Sequence, residues 1–463
     1  MIAITILSIL AASSLITLLL TPLKRMQTLL YALSLSSLLL VLILALYQLA
    51  SYESAYTLEN FTFDQYSYFV CALLSAGGAL IITLFFENYR SNANSEEALL
   101  AEAYPLLLLA TLGMILLAST THLIAIFVSL ELTSLAVYAL VALKRHSLFS
   151  GEAALKYLIL GGVASATFLY GTALNFGFSG GSFSLSAAAA THAPIIAIMI
   201  TTALLFKVGA APFHSWVPDV YQGAALPITS FMAFAVKLAS FVVLIRLANA
   251  MEIFSSPFSL VAIASMLTIV MGNLYALTQK ELKRFLAYSS IAHSGYLLIA
   301  AASPALLPVA LFYLLSYSFA SIGIFTLLAP LPLSLPLKKD IDIASLQGLY
   351  FRDPLRASLL TLFLFSFAGI PLTSGFMAKF YLFFSSFQSV HISLLIVAIL
   401  GAVVSIYYYL KIVITLFTPI PSAPTSTSVN TRDDSSPILL ASAILCALIT
   451  LLLGIYPKLA LLS

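Results

Sequence analysis

Three lysines, Lys207, Lys237 and Lys379, and one acid, Glu131, lie inside stretches whose other residues are almost all apolar. A charge at the centre of a membrane helix costs about 2.5–3.5 kcal/mol on insertion scales, so residues of this kind mark function. The function they suit is movement of protons or small cations. Burial favours the neutral amine of a lysine, and a nearby carboxylate favours the ammonium. A lysine held between those two influences can load and release a proton, and a carboxylate that changes position or charge would tip it. Glu131 is expected to be that modulator for Lys207. The bland alternative is a static ion pair holding helices together. Three interior lysines cannot all pair with one interior acid, which favours transport.

His214, in the stretch after Lys207, and His293, in LKRFLAYSSIAHSGY (282–296), are the membrane-embedded imidazoles. A lone histidine is usually a hydrogen-bonded core residue. Because imidazole titrates near neutral pH, the pair could instead relay protons between the lysines. The other four, His122, His146, His192 and His391, fall at helix ends and in loops. Cys71 and Cys446 are far apart in apolar segments and read as small core residues, not as a disulfide framework or zinc site. There is no Gly-rich phosphate loop, nucleophile triad or paired haem-ligand spacing. The chain is therefore expected to hold no cofactor and no metal, and to do no redox or hydrolytic chemistry itself. Its basic residues are scattered among helix ends, which gives no footprint for nucleic acid.

The elements that must position these groups are membrane helices. Of 463 residues, 62% are hydrophobic and 8% charged, against about 25% charged in soluble domains. Apolar runs long enough to span a bilayer fall at 2–21, 28–50, 66–86, 103–119, 121–142, 155–178, 193–218, 224–250, 258–279, 285–303, 305–331, 355–388, 391–418 and 437–459. The first of them has no basic leader and no small-residue cleavage site, so it reads as a retained helix. With the N-terminus outside, the odd-numbered loops hold Lys24, Arg25, Arg90, Lys144, Arg145, Lys156, Lys280, Lys283, Arg284, Lys338, Lys339, Arg352, Arg356 and Arg432. The even-numbered loops hold no basic residue. That segregation obeys the positive-inside rule and predicts fourteen spans with both termini outside. Arg246 and Lys411 lie near helix ends, where they can snorkel, and Lys458 is in the last turn. The Gly/Ser/Ala-rich loop at 179–192 and the polar stretch at 421–437 read as mobile linkers.

At 1.5 Å per residue, Glu131 falls about 15 Å into the fifth span, Lys207 about 21 Å into the seventh and Lys237 about 20 Å into the eighth. The seventh span carries Gly209, Pro212 and Pro218, and the twelfth carries Gly369, Pro371 and Gly375. Proline removes a backbone donor and clashes with the preceding turn, so both spans should be interrupted. Irregular backbone at membrane depth survives only inside protein or beside a hydrated cavity. Spans four to eight and nine to thirteen form two five-helix sets, each broken at its fourth member. An odd number of spans makes the sets inverted, a pattern shared by many transporters. The expected fold is an all-α polytopic membrane protein of about 14 helices with two inverted five-helix repeats. Its parts are a three-helix segment (1–102), the two repeats (103–250 and 251–418), and a linker with the last helix (419–463).

FKVGAAPFHSWVPDVYQGA (206–224), the segment FMAFAVKLAS around Lys237, LKRFLAYSSIAHSGY and GIPLTSGFMAKFYLF (369–383) closely resemble the antiporter-like membrane subunits of respiratory complex I, the NADH:quinone oxidoreductase. The resemblance runs over nearly the whole chain and is strongest from about 120 to 415. It implies interrupted seventh and twelfth helices and a central hydrophilic axis. It also assigns Glu131 as the helix-five glutamate, Lys207 as the helix-seven lysine, Lys237 as the bridging lysine and Lys379 as the exit residue. The M-type paralogue usually has glutamate at the last position. The L-type has lysine followed by aspartate, and a long lateral helix at its end. Here Phe380 follows Lys379 and the sequence ends at Ser463, which resembles the N-type, the counterpart of mitochondrial subunit 2. With the first three helices present, a bacterial inner membrane is expected. The resemblance further implies K-type and M-type neighbours, lipid contact, and a quinone bound elsewhere in the complex. Two rivals remain at this point, a stand-alone multisubunit Na⁺/H⁺ antiporter and a structural membrane-arm spacer with static lysines.

Overall fold

In a computed structural model, the chain is described over residues 2–23, 26–91, 101–144, 147–184, 194–250, 259–329, 341–419 and 436–461. Lys24, Arg25, Arg145, His146, His192, Lys338, Lys339 and Arg432 lie outside those residues, as do 185–193 and most of the stretch 421–437. Among the described residues, eleven helices are long and apolar enough to cross a membrane by length and composition. Three shorter apolar helices complete the fourteen: Ala103–Ala118, Pro194–Lys207 and Pro354–Ala368. In chain order the spans are Ile2–Leu20, Gln27–Ala50, Gln65–Ser91, Ala103–Ala118, Leu123–Val141, Leu148–Phe178, the broken seventh span (Pro194–Lys207, then Trp216–Gly223), Leu226–Ala248, Leu260–Thr278, Leu282–Ala302, Pro304–Leu328, the broken twelfth span (Pro354–Ala368, then Ser374–Ser386), Ile392–Phe417 and Pro437–Ile455.

The first, second, sixth and thirteenth spans lie at the periphery, while the eighth is surrounded by protein along its length. Equivalent pairs pack in both five-helix sets. The fourth and fifth spans pack as the ninth and tenth do, the sixth and seventh as the eleventh and twelfth, and the fourth and eighth as the ninth and thirteenth. This recurrence is what two inverted copies of one helical unit require.

Both breaks open at a glycine in the left-handed region, Gly209 at φ 72° and Gly369 at φ 84°, where a Cβ is strained. Gly209 N–H donates to the Phe206 carbonyl at 3.0 Å and Ala210 N–H to that of Leu205 at 2.9 Å. Ala211 N–H donates to Thr268 Oγ1 on the ninth span at 2.8 Å. In the twelfth span, the N–H groups of Gly369 and Ile370 both donate to the Phe365 carbonyl at 3.0 Å. The orphan groups that any helix end creates are thus satisfied within the protein.

Four details differ from the sequence reading. A short antiparallel hairpin, Tyr56–Leu58 with Phe61–Phe63, joins the second and third spans of the otherwise helical fold. Asp64, just after it, binds Arg246 through Nη2 at 2.7 Å to each carboxylate oxygen. Arg246 therefore does not merely snorkel; it ties the end of the eighth span to the start of the third. The sixth helix starts at Leu148, not 155, so Lys156 sits inside it and pairs with Glu152 at 2.7 Å and Asp219 at 2.8 Å. The described part of the 179–192 loop is held by its own bonds, with Asn175 Nδ2 donating to the Ser182 carbonyl at 3.1 Å.

Two predictions concern this scaffold. A Cβ on Gly375 would meet the Ser366 carbonyl oxygen at 1.8 Å, so Gly375→Ala should push the halves of the twelfth span apart and lower the yield of folded protein, read by detergent-solubilised size exclusion. Asp64→Asn should destabilise by about 1–3 kcal/mol, the cost of removing the charge from one partner of a hydrogen-bonded pair, lowering the midpoint of thermal unfolding; an unchanged midpoint would show the pair to be solvated.

Candidate functional site: a buried lysine axis

The break in the seventh span places Lys207 as the last residue of its first half. The side chain is 3% exposed. Its Nζ donates to Ser134 Oγ at 2.6 Å and Tyr138 OH at 3.4 Å, both on the fifth span. Glu131 lies one turn before Ser134 on the same face of that helix and is half-buried. Its Oε1 accepts a hydrogen bond from Ser165 on the sixth span. Among the described residues Glu131 closes no ion pair with Lys207, so the charges interact through space across Ser134.

Lys237 follows directly on a five-residue π-helical segment, Met232–Val236, in the eighth span. Such segments recur at functional positions because they re-aim the residues after them. Nζ donates to Ser290 Oγ, to the Ser290 carbonyl at 2.5 Å and to Ser294 Oγ at 2.8 Å. Ser294 Oγ in turn donates to the carbonyl of Val208, the residue after Lys207, at 2.9 Å.

His293 stands between Lys237 and Lys379. Its Nδ1 meets Tyr313 OH at 2.7 Å and its Nε2 meets Tyr409 OH at 3.2 Å. The Tyr317 ring packs on His293 and lies 5.7 Å from the Lys237 Nζ. The Tyr296 ring also packs edge-on against His293 and lies 5.5 Å from the Lys379 Nζ. A cavity of about 10 Å³ opens beside it, lined by His293, Tyr313, Ser316, Ser366 and Gly375 among others, which is about the size that admits one water.

Lys379 is 6% exposed and lies in the second half of the twelfth span. Its Nζ donates to the carbonyls of Phe367 at 2.8 Å and Ala368 at 3.1 Å, and to Ser405 Oγ at 3.4 Å. Those carbonyls end the first half, where the helix dipole is negative, so the ammonium caps a helix its own chain has broken. The two broken-span lysines are therefore not at matching positions: Lys207 precedes its break and Lys379 follows its break.

His214 is placed differently. It lies in the turn after Lys207, half-buried, with its ring 6.4 Å from that of Tyr275 and its Nδ1 without a hydrogen-bond partner. Among the described residues no hydrogen bond joins it to a lysine. Sequence reasoning missed the serines, Ser134, Ser165, Ser290, Ser294 and Ser405, which contact every charged member of the axis. It also missed Glu87, 6% exposed, which sits 3.8 Å from Arg90 near the end of the third span. Serine is common throughout the chain, so only the fold singles these out.

Comparisons with known proteins give the family and the fold. Residues 119–405 match the family described as NADH:quinone oxidoreductase/Mrp antiporter, TM. NADH-quinone oxidoreductase subunit N of Syntrophotalea carbinolica is 41% identical over 397 residues, which is 83% of this chain and 82% of that protein. Its counterpart in Trichlorobacter lovleyi is 38% identical over 384 residues, 80% and 76% of the two chains. A chain of respiratory complex I from Thermus thermophilus superposes with a TM-score of 0.82 at 33% identity, over 98% of each chain. A chain of the Mrp complex from Dietzia sp. superposes with a TM-score of 0.85 at 20% identity, over 98% and 95%, a likeness of fold. With its buried lysines in broken and bulged helices, this chain belongs to the antiporter-like membrane subunits of NADH-quinone oxidoreductase, and within them to subunit N.

Proposed function

We infer that this chain translocates protons as a redox-inactive part of the membrane arm of a bacterial NADH:quinone oxidoreductase. It is driven by quinone chemistry in other subunits, and electron carriers and quinone bind elsewhere in the complex. Protons pass from the Glu131 end through Lys207 and Lys237 to Lys379. His293, its tyrosines and water join the last two lysines, and His214 takes part only through water. The repeats 103–250 and 251–418 each carry one broken span, and Lys237 links them. K-type and M-type subunits are the expected neighbours, and both termini lie on the periplasmic side.

The observation that carries this reading is continuity. Each lysine is buried, each is held by a hydroxyl, and contacts lead from one to the next: Ser134 beneath Lys207, Ser294 to Val208, Tyr317 and Tyr296 against His293. A stand-alone Na⁺/H⁺ antiporter shares the fold, but 38–41% identity to the N-type subunits against 20% to the Mrp chain favours the redox-driven complex.

In the assembled enzyme, Lys207→Ala and Lys379→Ala should each lower proton pumping by about tenfold or more, the scale on which a positioned proton-transfer group contributes; full proton-to-electron stoichiometry in both would make the chain a static spacer. Glu131→Gln should weaken pumping while leaving assembly intact, as judged by native gels alongside pumping in proteoliposomes; pumping equal to wild type would remove Glu131 from the path.

A further inference from the structure

The two serines that hold Lys237 both reach back to the seventh span. Ser290 Oγ lies 3.3 Å from Tyr221 OH, in the second half of that span. Ser294 Oγ donates to the Val208 carbonyl, inside the break itself. Lys237 is therefore held by a clamp on the tenth span whose other side touches the broken helix both within the interruption and beyond it.

Ser294 has one hydroxyl proton and two carbonyls within reach, Val208 at 2.9 Å and Ser290, one turn back on its own helix, at 3.1 Å. The Ser290 carbonyl already accepts from the Lys237 ammonium at 2.5 Å. That occupancy steers the Ser294 proton towards Val208. The serines beneath the other lysines donate within their own helices, Ser134 to the Leu130 carbonyl at 2.5 Å and Ser405 to the Ala402 carbonyl at 2.6 Å. A hydroxyl that can satisfy its own helix does so by default. Ser294 instead donates across to the seventh span, at 2.9 Å, while the ammonium occupies its intrahelical acceptor, at 3.1 Å.

We propose that Ser294 is a positioning residue that ties the charge on Lys237 to the closed form of the break beside Lys207. When the ammonium withdraws, or discharges to an amine whose two remaining N–H groups turn to the serine hydroxyls, the Ser290 carbonyl is vacated, the Ser294 proton turns back to it, and the Val208 carbonyl loses its donor. A buried carbonyl without a donor is unfavourable, so the break loosens. Linkage is reciprocal: a loosened break makes the ammonium easier to lose. This deepens the transport reading above and gives the two lysines a mechanical connection in addition to any water between them.

The test is hydrogen–deuterium exchange on the purified, assembled complex, which reports local opening of the backbone. Peptides covering 204–217 are compared in wild type, Lys237→Met, Ser294→Ala and the double variant. Each single variant should raise exchange there by about tenfold, the effect of losing one buried hydrogen bond. The double variant should rise no further than the larger single, and peptides covering 365–375 at the other break should be unchanged. A serine that merely packs would give effects that multiply. Multiplying effects, unchanged exchange in Lys237→Met, or an equal rise at both breaks would each overturn the proposal. Should Ser294→Ala fail to assemble, Lys237→Met alone decides, since a rise confined to 204–217 supports the link and no rise removes it. Failure of the transport reading is separately visible as full pumping in Lys207→Ala, whatever the exchange shows.

Discussion

Inside a bilayer no water is at hand to receive a backbone group or a charge that the protein leaves unpaired. Breaking a helix exposes carbonyls, and burying a lysine exposes an ammonium. In this chain each problem helps to solve the other. Lys379 donates to the carbonyls of Phe367 and Ala368 that the twelfth-span break sets free. The seventh-span break is closed by Trp216 Nε1 on the Phe206 carbonyl at 3.1 Å and by Ser294 on that of Val208. The rest of the architecture, with a protein-wrapped eighth span between two broken ones, keeps these mutual satisfactions away from lipid.

The large features were legible in the sequence because membrane physics writes them plainly. Fourteen apolar runs, the segregation of basic residues, and Gly and Pro at two spans follow from length, charge and backbone chemistry, and the helices fall where those signals put them. The charged axis was equally visible, since a lysine among leucines has few other uses. What stayed hidden was of smaller contrast. Ser134, Ser290, Ser294 and Ser405 look like any of the chain's many serines until folding brings an ammonium to each. Arg246 looked like a snorkelling end residue because its partner, Asp64, is 182 positions away. Lys156 looked like a loop residue because polar residues at the start of the sixth helix masked its first turns.

The likeness to an Mrp chain at least as close in shape as the likeness to a complex I chain shows that this scaffold alone does not name its energy source. The fold supplies two inverted halves, two breaks and a buried central helix. Which ion moves, and what drives it, depends on side chains set into that frame and on the chains beside it. The charged side chains set into the frame here are lysines held by hydroxyls, compact charges with three rotatable donors each, suited to changing partners without moving the backbone far.

The cavity beside His293 bears on what can cross between the second and third lysines. Room for about one water at a time is enough for a proton, which passes by exchange of hydrogen bonds and needs no volume of its own. Sodium must instead carry or replace a shell of several oxygens, and this lining offers hydroxyls, an imidazole and aromatic rings but no carboxylate. On the path proposed above, tightness and a lining without a fixed negative charge would favour the proton, a sieve made by what the walls leave out.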